Sequence, residues 1–161
     1  MAGFKLEKFL LKRGVVYIAG VDEAGRGALF GPVVAAAVIL PPEFYGRACP
    51  EWVAEIDDSK SLSSEKRERL QKLIMQKALA VGVGAASVRE IERLNIHQAS
   101  LLAMSRAISR LSLVPELLLI DGIFCQLEDV PIPQMAIKGG DKLCTSIAAA
   151  SIVAKVVRDK L

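Results

Sequence analysis

Histidine and aromatic side chains are scarce in this 161-residue chain, which has one His, one Trp, two Tyr and five Phe. His97 stands alone near a helix start with no evident serine or cysteine partner, which disfavours a nucleophilic Ser–His or Cys–His hydrolase. It reads as a surface or capping residue. Cys49, Cys125 and Cys144 form no C-x-x-C pair and leave one thiol over under any disulfide scheme, as suits a reducing compartment. Cys144, in an Ala-rich stretch, reads as core. The longest unbroken apolar run, residues 33–40, is far short of the roughly 20 residues of a helical bilayer span. Residues 1–12 alternate Lys with Leu and Phe and lack a continuous apolar stretch ahead of a small-residue cleavage site, so no secretory signal is read there. These absences predict a soluble, cytoplasmic protein that does not engage membranes. No repeat, low-complexity tract or Gly/Ser linker divides the chain, which reads as a single domain over residues 1–161.

Apolar residues are plentiful. At 52% hydrophobic, 24% charged and mean hydropathy +0.37, the chain has material for a buried core, which excludes disorder as its dominant state. Lys and Arg number 21 against 18 Asp and Glu, and the net charge of +3 permits an anionic partner without requiring one.

Periodicity supplies the elements. Residues 15–21 are apolar and partly β-branched and predict a buried strand, followed by a glycine-rich turn at 25–31 and a second strand at 32–40, paired as a hairpin. Residues 41–64 are irregular. Leu70, Leu73, Ile74 and Ala78 recur at helical spacing within an amphipathic helix over 65–79. A third strand is predicted at Ala80–Ala86, then two helix starts: a capping box at Ser87 and Glu90, and a looser one at Asn95 and Gln98. Leu101, Met104, Ala107, Ile108 and Leu111 make one apolar face, which Pro115 ends. Strands at 117–120 and, more weakly, Gln134–Ile137 precede an Ala-rich helix at 143–157. The order β-β-α-β-α-α-β-β-α predicts an α/β fold with a mixed sheet flanked by helices.

Asp22 and Glu23 follow one apolar strand, and Asp121 follows another. Open α/β sheets place ligands at such strand ends. Each acid alone has an ordinary reading as a solvated group, and Asp141, between a glycine pair and the last helix, has one as an N-cap. Together they offer only oxygen ligands, which hard ions such as Mg²⁺ and Mn²⁺ prefer. Four converging carboxylates repel one another without cations. Two divalent ions about 4 Å apart relieve that repulsion and suit phosphodiester hydrolysis.

Residues 21–27 (Val-Asp-Glu-Ala-Gly-Arg-Gly) and 31–37 (Gly-Pro-Val-Val-Ala-Ala-Ala) closely resemble the N-terminal signature of bacterial ribonuclease HII, the type 2 ribonuclease H. Asp58-Ser59-Lys60 with Leu62-Ser63, Ile120-Asp121-Gly122, residues 138–141, and residues 146–155 followed by Arg158-Asp159 agree in the same order. The resemblance implies an RNase H-like fold with a central five-stranded mixed sheet. It implies metal-dependent endonucleolytic cleavage of the RNA strand of RNA/DNA hybrids and incision at ribonucleotides embedded in duplex DNA, leaving 3′-hydroxyl and 5′-phosphate ends. Asp22, Glu23, Asp121 and Asp141 match the family's catalytic, metal-binding acids, with Mg²⁺ or Mn²⁺ as cofactor. Gly25, Arg26 and Gly27 match the segment that contacts the ribonucleotide, and Lys60 a position near the nucleic-acid backbone. Lys142 and Ser146 are further candidate phosphate contacts at the start of the last helix. Between residues 60 and 77, Lys60, Lys66, Arg67, Arg69, Lys72 and Lys77 outnumber Glu65 and Glu68; such a basic face suits phosphates, but a solvated surface helix explains the same residues and is the preferred reading for Arg69, Lys72 and Lys77.

Three departures from the family pattern carry expectations. Ala28 and Phe30 replace proline and alanine and loosen the turn. Gly140 reads as an added residue that shifts the approach of Asp141. The chain stops at Leu161, where relatives continue through a segment with a tyrosine that stacks near the junction, so it is expected to be truncated at the C-terminus. If that segment is needed for activity, the alternative is a non-catalytic hybrid-binding protein. A dinucleotide-binding site is disfavoured because the spacing is G-x-G-x-x-x-G, with Phe30 at the third-glycine position, and because Asp22 and Glu23 repel a pyrophosphate. The chain is expected to act as a monomer.

Overall fold

Five strands among the described residues set the architecture: β1 (Ile18–Ala24), β2 (Val33–Ile39), β3 (Ala80–Ala86), β4 (Leu117–Asp121) and β5 (Gln134–Ile137), side by side in the order β3-β2-β1-β4-β5. The computed structural model describes residues 2–27, 30–123 and 127–161, so Ala28 and Cys125, invoked above, lie outside the described residues. β1 and β2 form the expected antiparallel hairpin, and β3 extends it antiparallel to β2. β4 joins β1 in parallel, and β5 joins β4 in parallel, which makes the sheet mixed.

β2 is buried along its whole length because helices cover both faces of the sheet. Side chains alternate across a strand. Val33, Ala35, Ala37 and Ile39 therefore share one core with Ala103, Met104 and Ala107 of α4 (Ile96–Ser109). Ala36 and Val38 share the other with Ile152 and Val153 of α6 (Thr145–Asp159) and with Leu70 and Ile74 of α2 (Ser64–Lys77). Alanine at so many inward positions lets the helices come close. At Gly20 the approach is close enough that the main chain of Ser146 and Ile147 occupies the place of a Cβ.

The capping signals hold. Ser87 and Glu90 exchange backbone-to-side-chain bonds of 3.0 and 3.1 Å at the start of α3 (Val88–Leu94), and Asn95 Oδ1 accepts the Gln98 N–H at 3.0 Å to start α4. The structure departs from expectation at four points. β1 starts at Ile18 rather than at 15, because the N–H groups of Val16 and Tyr17 donate to Glu116 Oε1 at 3.1 Å instead of to a strand. It also runs on through Asp22 and Glu23, which pair with Ala36 and Ala35, so these acids lie within the strand rather than after it. A helix absent from the sequence reading, α1 (Lys5–Leu11), is held by burial of Glu7 and Leu10. The expected single last helix is α5 (Gly140–Leu143) followed by α6.

Candidate metal centre

Parallel pairing brings the acids together. Val21 in β1 is level with Ile120 in β4, so the next residues, Asp22 and Asp121, emerge side by side at the carboxyl end of the sheet. Asp121 is level with Ile137 at the end of β5, and the chain then turns through Gly139 into α5, which delivers Asp141 to the same place. One carboxylate oxygen from each of Asp22, Asp121 and Asp141 lies within 4.8 Å of the others. Asp141 is not an N-cap, because Gly139 holds the cap position of α5 and Cys144 that of α6. Gly140 does not carry Asp141 away. Its N–H donates to Asp121 Oδ1 at 2.7 Å, locking the turn onto β4.

Glu23 stands slightly apart. It lines the same cleft, of about 330 Å³, but is not among the three converging oxygens. Its Oε1 lies 3.9 Å from Arg26 Nη1, and its Oε2 is buried without a hydrogen-bond partner among the described residues.

The cluster is electrostatically loaded. Asp22 is 4% exposed, and burial first, then the charges of Glu23, Asp121 and Asp141, hold its carboxyl well above the ordinary range. Asp22 Oδ1 accepts the Glu23 N–H at 2.8 Å, which offsets only part of this. Burial, and then Asp121 and Asp58, push Asp141 up to about 6. Burial also raises Glu23. Carboxylate oxygens gathered this closely, with Asp22 and Asp141 both shifted against ionising, fit hard divalent ions.

Gly25, Arg26, Gly27 and Lys60 line this cleft. Lys60 sits in a 3₁₀ turn (Ser59–Ser61) that Asp58 caps by accepting the Lys60 N–H at 3.1 Å. Lys142 is exposed beside Asp141 and is not part of the cleft wall. Ser146 departs from expectation. It is fully buried, and both its N–H and its hydroxyl donate to Glu7 Oε2, at 3.2 and 2.8 Å, so it has nothing to offer a phosphate. Of the basic residues between 60 and 77, Arg69 and Lys66 pair with Glu55, while Arg67 donates to the carbonyls of Ser59 and Leu62, so they serve structure.

Sequence reasoning missed Ser59, Ser151 and Lys155, which also line the cleft. Ser59 and Ser151 share a buried hydroxyl–hydroxyl bond of 2.8 Å. Helical geometry carried a signal for the other two. Ser151 and Lys155 are four residues apart on one face of α6, whereas Ser146 lies about 140° around the helix from Ser151. His97 is exposed, as expected, but it also takes a 3.1 Å hydrogen bond from Arg26 Nη2 at its Nδ1.

The family model described as Ribonuclease HII matches residues 19–161. The chain belongs to the ribonuclease HII family. It is 50% identical over 159 residues to Ribonuclease HII of Dehalococcoides mccartyi, a match covering 99% of this chain and 72% of that one. It is 52% identical to the Ribonuclease HII of a Geobacter species, covering 97% of this chain and 64% of that one. Among solved structures it is similar to the ribonuclease HII seen in complex with PCNA from Archaeoglobus fulgidus, with TM-score 0.73, 29% identity, and 90% and 74% of the two chains covered. As a member of that family the chain is a metal-dependent endoribonuclease, and the family cleaves RNA in RNA/DNA hybrids. Among the described residues no helix is long and apolar enough to cross a membrane.

Proposed function

We propose that this member of the ribonuclease HII family hydrolyses the RNA strand of RNA/DNA hybrids and incises duplex DNA at embedded ribonucleotides, leaving 3′-hydroxyl and 5′-phosphate ends. The observation that carries the reading is the convergence of Asp22, Asp121 and Asp141 within 4.8 Å at the carboxyl end of parallel strands. These three, with Glu23 beside them, would hold two divalent ions of the Mg²⁺ or Mn²⁺ kind. When bound, such ions supply charge neutralisation, Lewis-acid activation of water and stabilisation of the leaving oxygen.

The chain's own residues orient and bind. The Glu23 and Gly140 N–H groups each fix one oxygen, on Asp22 and Asp121, and leave the second oxygen of each carboxylate to turn toward a ligand. Lys60 places positive charge on the cleft wall, where phosphates of a duplex pass, and Lys155, paired with Asp159 at 3.0 Å, lines the same wall. Lys142, exposed next to Asp141, suits an outlying phosphate contact. Gly25 and Gly27 bring main chain close to a ribose whose 2′-hydroxyl both donates and accepts hydrogen bonds. All four acids come from one continuous unit spanning residues 1–161, which fits a single catalytic domain acting as a monomer. The free thiols of Cys49 and Cys144 suit the cytoplasm.

Cleavage of an RNA/DNA hybrid and of duplex DNA carrying one ribonucleotide, with Mg²⁺ or Mn²⁺ and with EDTA, tests this. Metal-dependent product from both duplexes is expected. Binding with no product under any divalent ion would refute the catalytic reading.

A further inference from the structure

Arg158 and Asp159, the pair that ends the last matching segment of sequence, have no place in the metal centre. The structure gives Arg158 another occupation. The last turn of α6 reaches back beneath the turn that joins β1 to β2. There Arg158 Nε donates to the Pro32 carbonyl at 3.0 Å, and Nη2 donates to the Phe30 carbonyl at 2.7 Å. The same guanidinium fills the space beside Gly25 and Gly31, both at positive φ (94° and 91°). A Cβ at Gly25 would collide with Arg158 Nε, and one at Gly31 would sit 3.2 Å from Nη2. One planar side chain therefore touches both ends of the turn. Among the described residues it makes no ion pair, and the neighbouring Asp159 carboxylate is occupied by Lys155 at 3.0 Å. Its Nε and Nη2 donate to main-chain carbonyls, a use for which a rigid fork of N–H groups is suited and a flexible ammonium is not.

We propose that Arg158 is a positioning residue for ribose recognition: it sets the height and orientation of Gly25–Arg26–Gly27 against the carboxylates without itself lining the cleft. The inference rests on the substrate reading above. A duplex with one ribonucleotide offers one 2′-hydroxyl, so its recognition depends wholly on where this turn lies. A continuous hybrid offers a 2′-hydroxyl at every register and tolerates a small displacement. The specificity of the site is thereby carried by an arginine on the far side of the turn from the substrate.

Arg158→Met keeps the stem and removes the donors, and Arg158→Lys restores one. For each variant, kcat and KM are measured on the single-ribonucleotide duplex and on a continuous hybrid, and hydrogen exchange is followed in peptides covering residues 25–32 and β3. In Arg158→Met the ratio of kcat/KM between the two duplexes is expected to fall about 10-fold, through KM, because a displacement near 1 Å is costly only where one contact decides. Arg158→Lys is expected to recover part of the ratio. Exchange should rise in 25–32 and not in β3. An unchanged ratio, whether both rates persist or fall together, overturns the proposal. If wild type cleaves neither duplex, the substrate reading fails, and exchange still decides whether Arg158 holds the turn: unaltered exchange in 25–32 removes the brace as well.

Discussion

Asp22, Asp121 and Asp141 are held in a state that cations relieve. In the absence of metal their mutual repulsion and burial oppose folding, so replacing one charge with an amide of the same shape should help the apoprotein while harming the enzyme. Asp22→Asn is expected to raise apoprotein stability, because burial and the neighbouring carboxylates oppose the Asp22 charge, and to reduce metal-dependent cleavage by about 100-fold or more. Denaturation in EDTA alongside cleavage assays checks both signs, and a destabilised but active variant would contradict them. The pH dependence follows from Asp141. Its folded carboxyl titrates at about 6, above the ordinary 3.8, so between these values the folded state keeps a proton that the unfolded state has released. The contribution of Asp141 to apoprotein stability should therefore be fully present below about pH 4 and be lost as pH rises to about 6, with divalent ions offsetting the loss increasingly over the same interval. Melting temperatures from pH 4 to 8, with EDTA and with Mn²⁺, read this directly. These acids were legible because each adjoins an apolar run or a glycine pair. Ser146 was not, since a hydroxyl at a helix start serves inside and outside equally well, and its partner Glu7 is distant in the chain.

Among the elements, α6 depends on a cap it does not carry. Cys144 supplies no side-chain bond at its start, and the Glu7 carboxylate, delivered by α1, accepts the Ser146 N–H and hydroxyl in its stead. Gly3 adds two main-chain bonds, to Leu143 and Thr145, at the elbow between α5 and α6. Glu7→Ala should cost about 2 kcal/mol, combining a lost cap with two unsatisfied donors in the interior. Glu7→Gln, which keeps an acceptor, should cost less. Chemical denaturation distinguishes them, and equal losses would mean that charge rather than the hydrogen bonds matters. α1 itself could not be read from sequence, because one short helix with alternating Lys and Leu gains its stability from the surface it covers. β3 and β5 emerged with the expected bounds, since turn or helix signals bracket each of them. β1 slid by three residues because an apolar run shows where burial begins, not where pairing does. Glu116, which draws off Val16 and Tyr17, belongs to a different part of the chain.

For the molecule as a whole, the arrangement of charge matters more than its sum. The chain is +3 overall, yet the cleft centre gathers Asp22, Glu23, Asp121 and Asp141, and Lys60 and Lys155 stand at its wall. A polyanionic duplex is thus attracted by the rim and repelled by the centre until cations fill it. Two consequences separate these contributions. Lys60→Ala should weaken duplex binding for every sequence alike and reduce the slope of log K against log salt by about 1, the signature of one lost phosphate contact. Asp22→Asn with Asp121→Asn should act in the opposite sense, making binding in EDTA tighter than wild type, because two of the repelling charges are gone. Adding Mg²⁺ should improve wild-type binding more than that of the double variant. Fluorescence anisotropy of a labelled hybrid across salt, with and without Mg²⁺, measures both slopes. If EDTA weakens wild type and the double variant equally, the carboxylates do not govern access to the cleft, and the balance between rim and centre is not what admits the duplex.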